Sequence, residues 1–485
     1  MRTIIIQKRR QAVFIGVLCV ALIGIASPAS AAIHIYTIEV DAALSRMEVV
    51  ARFAAPANAI SARSRDAGRF LLDARDCDNG DQISNRGRRL TISGNGIRCL
   101  SYAVDLRSAA QADQRNDLLH ASNFLVTPTV WMWRPRLGGD DEIRVQFRLP
   151  NDVQVSVPWR PIKTTDNAYL LNASPQSGSA IAIFGHFDSS VANIAGTDLR
   201  IELLRVAEDI DAAPIVDWIQ ETAYNITLAY GRFPNPAARI VVFPIGNTPW
   251  PSDSPVLFGR VVRDGGETVE LLIDSQQPMQ SFYEDWTATH ELSHMMLPYL
   301  RAEQRWIGEG FAQYYQNVLL ARAGRYTENY AWQKLYDGLE RGRESVPGLS
   351  PNAAASGDER NSRMKIYWSG AALALMADVE LRQRSHGKES LDTVLDQFQR
   401  CCLPSQRTWS GAELFTTFDS FLELPLFMNL YRQYADAAGF PNVRPLLGQL
   451  GVAVDDGEVR LRSDTELAEI RAALTAQRYT GGPGK

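Results

Sequence analysis

The chain has 485 residues, of which 45% are hydrophobic and 22% are charged, and its formal net charge is −5. A chain of this length buries more than one hydrophobic core, so two to four domains are expected. The acidic balance argues against nucleic-acid binding, and the sequence has no repeat period or low-complexity tract that would suggest a fibrous or disordered protein.

The first 31 residues have the pattern of a secretory signal. Four basic residues are followed by an apolar run over 12–26 and by a small-residue segment at 29–31. Cleavage there predicts an exported protein, periplasmic or secreted, with no stable membrane span. An uncleaved segment would instead form a short N-terminal membrane anchor, and no other stretch of the sequence could span a bilayer.

The sequence pattern over residues 32–206 predicts a β-rich N-terminal domain. Short alternating runs, such as those at 35–40 and 153–157, are separated by Gly, Pro, Asn and Asp. This pattern is typical of strands joined by turns, and a sandwich-like arrangement is expected. His186 is interpreted as a core or loop histidine and is left out of the predicted site.

Four cysteines follow the signal, and export permits them to form disulfides. Cys77 and Cys99 flank a turn-rich segment and are the preferred pair, because their disulfide would close a hairpin-like loop. For the adjacent Cys401 and Cys402, a vicinal disulfide and two free thiols both remain open. Neither pair has nearby histidines at the spacing of a structural zinc site.

After residue 209 the pattern becomes mainly helical. Apolar residues at helical spacing predict a helix over 215–230, and a strand follows over 239–243. Further helices are expected at 394–398 and 426–438. A short strand at 459–461 and a glycine-rich tail complete the C-terminal extension.

The segment His290-Glu291-Leu292-Ser293-His294 is the strongest indication of function. Residues four apart lie on one helical face, so His290 and His294 can bind the same metal ion. Glu291 is then placed to act as the general base that removes a proton from a metal-activated water. The motif therefore predicts one Zn²⁺ ion and metal-assisted hydrolysis, with peptide bonds as the natural substrate.

A catalytic zinc usually has three protein ligands and one position open to water, so a third ligand is required. Glu309 is the best candidate. Pro298 is expected to end the first helix near Leu297, and a turn followed by a second helix would direct Glu309 back toward the histidines. Fourteen residues separate His294 from Glu309, which requires a tight loop between the helices.

The motif and the segment from Trp306 to Tyr315 resemble the gluzincin zinc metallopeptidases, the group containing thermolysin and aminopeptidase N, and most closely the glycyl aminopeptidase family. A second segment, beginning at Tyr367 and reaching Asp392, is similar to that family's tyrosine-, glycine- and leucine-rich helix and the turn after it. The resemblance covers roughly residues 215 to 400. It implies that Tyr367 donates a hydrogen bond to the developing oxyanion, and a tyrosine packed in the core is the alternative.

The sequence also departs from that family. Ser369 stands where the family usually has a lysine, and the C-terminal peptide-binding β module is not found. The strand motif that holds the substrate's free amino group has no clear counterpart. The nearest candidate is Gly265-Gly266-Glu267, so a substrate contact by Glu267 stays open. The following residues, 268–273, are predicted as an edge strand against which an extended substrate could pair.

These observations predict an α+β protein whose helical part is a thermolysin-like zincin domain. The expected division is a signal peptide at 1–31, an N-terminal all-β sandwich-like domain at 32–206, a mainly α-helical catalytic domain at 207–425, and a C-terminal helical extension and tail at 426–485.

Three interpretations of function remain. The first is a secreted zinc metallopeptidase, either an aminopeptidase or an endopeptidase, acting on a peptide or protein substrate. The second is a binding or scaffold protein that has lost turnover, against which the intact Glu291 argues. The third is a zinc hydrolase of a non-peptide amide, because residues that activate water do not define what fills the cleft. Side-chain specificity, native substrate and oligomeric state are not determined by the sequence.

Overall fold

The computed structural model describes residues 32–113, 123–138, 141–172, 180–204, 210–245, 254–357 and 359–478. The predicted signal peptide lies outside these ranges. Residues from Ala32 onward group as one unit by their contacts. Within the described ranges, no helix combines the length and the apolar character that a membrane crossing requires.

The N-terminal part is built from strands, as predicted. Along β2 (Arg46–Ala57), every second residue from Met47 to Phe53 is buried, as expected for a strand with one face toward a core. The other elements of this part are β1 (Ile33–Val40), β3 (Ile60–Ser61), α1 (Ala67–Phe70), β4 (Leu71–Asp76), β5 (Asn85–Arg86), β6 (Arg89–Leu90), β7 (Ile97–Asp105), α2 (Leu106–Gln111), β8 (Asn123–Val126), α3 (Pro128–Trp131), β9 (Arg134–Pro135), β10 (Glu142–Arg148), β11 (Gln154–Ser156), β12 (Arg160–Pro161), β13 (Ala168–Asn172) and β14 (Ala182–Gly185).

Two sheets enclose the core of this part. One has seven strands in the order β12-β13-β10-β1-β2-β7-β4, and the other has three in the order β11-β14-β8. Tyr36 and Val49 of the first sheet and Phe184 of the second belong to the same buried cluster. Strands β5, β6, β3 and β9 form a smaller sheet. Cys77 and Cys99 form a disulfide, as predicted.

The next sheet has five strands, which are β15 (Phe187–Ile194), β16 (Thr197–Leu204), β17 (Ala238–Ile245), β18 (Val256–Arg263) and β19 (Glu267–Asp274). Their order across the sheet is β15-β16-β17-β19-β18. Strands β15 and β16 precede residue 207 and the other three strands follow it, so this sheet crosses the predicted domain boundary at 206/207. The boundary itself stays a prediction.

The prediction of an edge strand at 268–273 is wrong. These residues belong to β19, which lies between β17 and β18, and β18 forms the edge. The reason is a hairpin. Gly265 adopts φ +79° in the turn after Arg263, so β18 and β19 pair antiparallel and β18 covers the free side of β19.

The C-terminal half is mainly helical, which confirms the predicted α+β class. Its helices are α4 (Ala212–Ile226), α5 (Met279–Glu284), α6 (Thr287–Ser293), α7 (Arg305–Arg322), α8 (Glu328–Glu344), α9 (Pro351–Ser356), α10 (Glu359–Arg384), α11 (Leu391–Cys402), α12 (Gly411–Asp419), α13 (Phe427–Tyr434), α14 (Arg444–Gln449) and α15 (Ala468–Thr475), with short 3₁₀ turns at His294–Met296 and Ala302–Gln304 and a hairpin of β20 (Val452–Asp455) and β21 (Glu458–Leu461). Cys401 and Cys402, at the end of α11, are joined in a disulfide.

Helices α7 and α10 touch through two glycines. A Cβ atom on Gly310 would overlap the backbone of Gly370, and one on Gly370 would overlap the carbonyl oxygen of Trp306. Only glycine permits backbones to approach so closely. This contact brings Glu309 of α7 and Tyr367 of α10 close to the same crossing point.

Buried charges fix the far end of α7. Arg322 is 1% exposed and lies 3.0 Å from Asp392, which also accepts a hydrogen bond from the Tyr315 hydroxyl at 2.9 Å. Arg478, near the end of the described chain, contacts the same carboxylate at 3.0 Å. The network therefore ties α7 to the start of α11 and to the C-terminal segment.

Candidate metal centre and active-site cavity

Helix α6 presents the two predicted histidines one turn apart. The His294 N–H donates to the His290 carbonyl, so the helical geometry continues into the following 3₁₀ turn. The imidazole centroids are 4.8 Å apart, with ring planes at 88°. The chain becomes extended at Leu297, where the sequence predicted that the helix ends.

Glu309, from α7, completes a set of three candidate metal ligands. Its Oε2 lies 3.3 Å from His290 Nε2 and 3.5 Å from His294 Nε2, and ligating atoms of all three residues lie within 4.8 Å of one another. Two ligands at about 2.0–2.1 Å from a tetrahedral zinc are themselves about 3.4 Å apart. The donor set and its spacing therefore fit one zinc ion.

Gln316 orients the first histidine, and sequence reasoning missed it. Its Oε1 lies 2.8 Å from His290 Nδ1, and its side chain is 4% exposed. A proton on Nδ1 donated to this oxygen leaves Nε2 as the metal-binding atom, which is the usual arrangement around a ligating histidine. Its position could have been predicted from the sequence, because Gln316 lies two helical turns after Glu309 and therefore on the same face of α7.

Glu291 lies beneath the edge strand β18. The strand carries Gly259 at the point of contact, where a Cβ atom would lie 2.7 Å from Glu291 Cγ and 3.0 Å from Thr287 Cγ2. The carboxylate accepts a hydrogen bond from the Val261 backbone. Burial raises the pKa of Glu291 above its ordinary value, although His290 and His294 favour the charged form.

The ligands influence one another electrostatically. Burial acts to raise the pKa of Glu309, but the nearby His294 and His290 outweigh it, and the pKa falls well below its ordinary value. Burial acts to lower the pKa of His290, but its hydrogen bond to Glu309 and the charge of Glu291 reverse the direction. Glu309 is therefore held in the anionic form that a metal ligand needs.

Tyr367 lies beside the ligands. Its ring stacks on His290 with centroids 5.7 Å apart and planes at 15°. Tyr367, Glu291, His294 and Glu309 all line one cavity of about 300 Å³. The structure thus brings together all five residues of the predicted site.

Glu267 lies elsewhere. Its carboxylate accepts a hydrogen bond from Asn235 at 2.6 Å and pairs with Arg263 at 2.6 Å. It lines a separate cavity of about 140 Å³, which shares Arg263 with the active-site cavity. His186 is exposed, in keeping with its exclusion from the site.

The fold is similar to that of several solved proteins. An aminopeptidase N family protein from Idiomarina loihiensis is 14% identical, with a TM-score of 0.59 over 88% of this chain and 80% of its own. Native yeast LTA4 hydrolase is 13% identical, with a TM-score of 0.52 over 85% of this chain and 68% of its own. A mutant M1 zinc metallopeptidase from Deinococcus radiodurans, bound to the substrate Tyr-Ser-Ala, is 11% identical, with a TM-score of 0.50 over 84% of this chain and 95% of its own.

A segment of the sequence also matches the model of a known family. The model of the M61 glycyl aminopeptidase family matches residues 298–372, the segment that contains Glu309 and Tyr367. No curated protein matches the sequence. The predicted resemblance to the gluzincin metallopeptidases, and to the glycyl aminopeptidase family within them, is confirmed by the family match over residues 298–372 and by the similar fold.

Proposed function

We propose that the protein is an exported zinc-dependent metallopeptidase in which His290, His294 and Glu309 hold one Zn²⁺ ion. The observation that carries this proposal is that ligand atoms of these three residues lie within 4.8 Å of one another, and that His294 and Glu309 line one cavity of about 300 Å³ together with Glu291. The family match over 298–372 and the fold support the same reaction class. Export rests on the signal-like pattern of the first 31 residues.

A zinc ion held by His290, His294 and Glu309 would supply Lewis acidity for the substrate carbonyl and would lower the pKa of a water molecule at the site. Glu291 is the group that would accept a proton from the attacking water and deliver it to the leaving amine. A buried carboxylate is a stronger base than one in water, because burial raises its pKa. The Val261 backbone hydrogen bond and the absence of a side chain at Gly259 define where this carboxylate lies.

Tyr367 donates its hydroxyl proton in a hydrogen bond to the oxyanion that develops on the substrate carbonyl. Stacking on His290 fixes the plane of the tyrosine ring next to the metal ligands. A hydrogen-bond donor of this kind typically contributes about two to three powers of ten in rate.

The substrate binds in extended form along β18, the edge of the five-stranded sheet. Five residues of this strand line the active-site cavity, and Phe258 on the strand is 54% exposed. An edge strand offers backbone donors and acceptors on its free side, and an extended peptide can pair with them. The eight residues of β18 span about 26 Å, enough for several substrate residues.

The test measures zinc content and chelator-sensitive cleavage of a mixed peptide library by the mature protein, read by mass spectrometry. We expect one zinc per chain and cuts that disappear in Glu291→Gln, which keeps the ligands and lacks the base. Zinc without cuts would favour a scaffold protein or a hydrolase of non-peptide amides. A protein that binds no zinc would overturn the proposal.

A further inference from the structure

We propose that a cationic groove leading away from the active site binds an acidic stretch of a long polypeptide substrate, an inference that rests on the proposed peptidase function. The groove consists of two adjoining cavities, of about 140 Å³ and about 930 Å³, and its recognition residues are Arg144 and Arg160. An enzyme built in this way acts within or near the acidic segments of polypeptides and does not merely trim dipeptides.

The groove begins where the edge strand ends. Arg263, the last residue of β18, lines both the active-site cavity and the cavity of about 140 Å³. That cavity in turn shares Arg160, Leu170, Pro236 and Ala237 with the larger one. A polypeptide paired along β18 therefore leaves the active site at Arg263 and enters the groove.

Two arginines form a row across the sheet that makes one wall of the groove. Leu170 on β13 is the register partner of Arg144 on β10 and also of Arg160 on β12. Register partners point to the same side of a sheet, and strands lie about 4.8 Å apart, so these arginines flank Leu170 at roughly 10 Å from each other. Both are exposed, and neither forms an ion pair with a described residue.

The other cations of the groove are already engaged. Lys163 pairs with Asp198 at 2.5 Å, and Arg263 pairs with Glu267 at 2.6 Å. Arg200 is 9% exposed and donates to two backbone carbonyls at 3.0 Å. The ion pairs neutralise the charges of Lys163 and Arg263, and the two hydrogen bonds engage the Arg200 guanidinium.

Of the two acidic residues that line the larger cavity, Asp198 pairs with Lys163, so Glu142 alone offsets the charge of the two arginines. The groove thus carries excess positive charge in a protein whose net charge is −5. Because overall repulsion would act against an acidic ligand, a local cationic groove is the place where such a segment is attracted. The exposed side chain of Val191, which lines the same cavity, contacts the aliphatic parts of the bound segment.

The experiment compares peptides that share one cleavable core from the library and carry four glutamates, four glutamines or four lysines on either end. Substrates with the acidic extension should have a lower KM than the neutral ones, and added salt should remove the advantage. In the double variant Arg144→Glu/Arg160→Glu, kcat/KM for the acidic substrate should fall about tenfold, while cleavage of the unextended core stays unchanged.

Arg432→Glu is the matched control, because Arg432 is an exposed arginine on α13 that lines neither cavity. The groove assignment is overturned if the control loses as much as the double variant, if the unextended core loses as much as the acidic substrate, or if acidic and neutral extensions are cleaved alike.

Binding of a fluorescent acidic peptide, measured by anisotropy, tests the groove without turnover. Weaker binding to the double variant than to wild type is expected, and equal binding refutes the groove even if the enzyme cleaves peptides. Groove-dependent binding by a protein that cleaves nothing would instead count against the proposed function alone.

Discussion

Replacing Gln316 by leucine should weaken zinc binding without touching a metal ligand. Gln316 Oε1 lies 2.8 Å from His290 Nδ1, and both side chains are almost completely buried. Leucine is similar in size and removes the acceptor. The His290 N–H is then left buried without that partner, and the ring loses the contact that sets its tautomer and orientation.

The magnitude follows from two independent scales. Leaving a buried donor unsatisfied costs about 1–3 kcal/mol. Loss of a partner behind a metal-binding histidine typically lowers metal affinity about 10- to 100-fold, and each factor of ten corresponds to about 1.4 kcal/mol. The two scales agree, so we expect a zinc Kd about 10 to 100 times higher in Gln316→Leu. The zinc-dependent gain in unfolding free energy should shrink by the same amount.

The assay is competition for zinc between the apoprotein and a chelating indicator, with thermal unfolding measured with and without zinc. Gln304→Leu is the control. Gln304 is also buried and makes two side-chain hydrogen bonds, to Gly411 N and the Tyr431 hydroxyl, each at 2.7 Å, but it contacts no ligand. It should lose stability and keep its zinc Kd. A folded Gln316→Leu protein with wild-type zinc affinity, or equal weakening in both variants, would refute the reasoning.

Three further substitutions probe the base, the oxyanion contact and the buried charges. Gly259→Ala should lower kcat at least tenfold with zinc content retained, because the added Cβ would lie 2.7 Å from Glu291 Cγ. The control is Gly448→Ala, where no atom lies near the added Cβ and the rate in the same peptide assay should not change. Equal rates for the two variants would contradict the contact. Tyr367→Phe should reduce kcat by about two to three powers of ten at unchanged zinc content, and an unchanged rate would return the tyrosine to a packing role. Asp392→Asn should destabilise the fold by about 3–5 kcal/mol in chemical denaturation, since it leaves Arg322 buried without its counter-charge. Burial acts to raise the pKa of Asp392, but Arg322 and the other arginines hold it below its ordinary value. The contribution of Asp392 to folding stability is therefore present above its unfolded-state pKa and is lost as the pH falls through its folded-state pKa. An Asn variant whose stability depends on acid pH as the wild type does would rule this out.

Much of the fold could be predicted because its signals are local. Alternation over 35–40, which lies in β1, and the helical spacing after residue 209 reflect how each segment divides its side chains between core and solvent. The error at 268–273 has a clear cause. The sequence predicted a strand at 268–273, but whether a strand lies at the edge depends on its neighbours, and β19 pairs with the distant β17 on one side and with β18 on the other.

For the site, the sequence by itself predicted the three candidate ligands, the candidate base and the tyrosine. The two histidines need only one helical turn to face one ion, which is a property of a single helix and not of the fold. Glu309 was predicted from the need for a third ligand and from the turn expected after Pro298, whereas the role of Tyr367 was predicted from the resemblance to a family. The match to that family covers 298–372, which includes both residues.

Only the tertiary structure decided what supports and surrounds these residues. Gln316 reaches His290 from another helix, Gly259 leaves room for Glu291 from a strand, and Gly310 meets Gly370 so that α7 and α10 can touch. The row of Arg144 and Arg160 exists because β13 pairs with both of their strands. Each of these contacts joins residues far apart in the chain, and long-range packing, which no local pattern encodes, sets their distances.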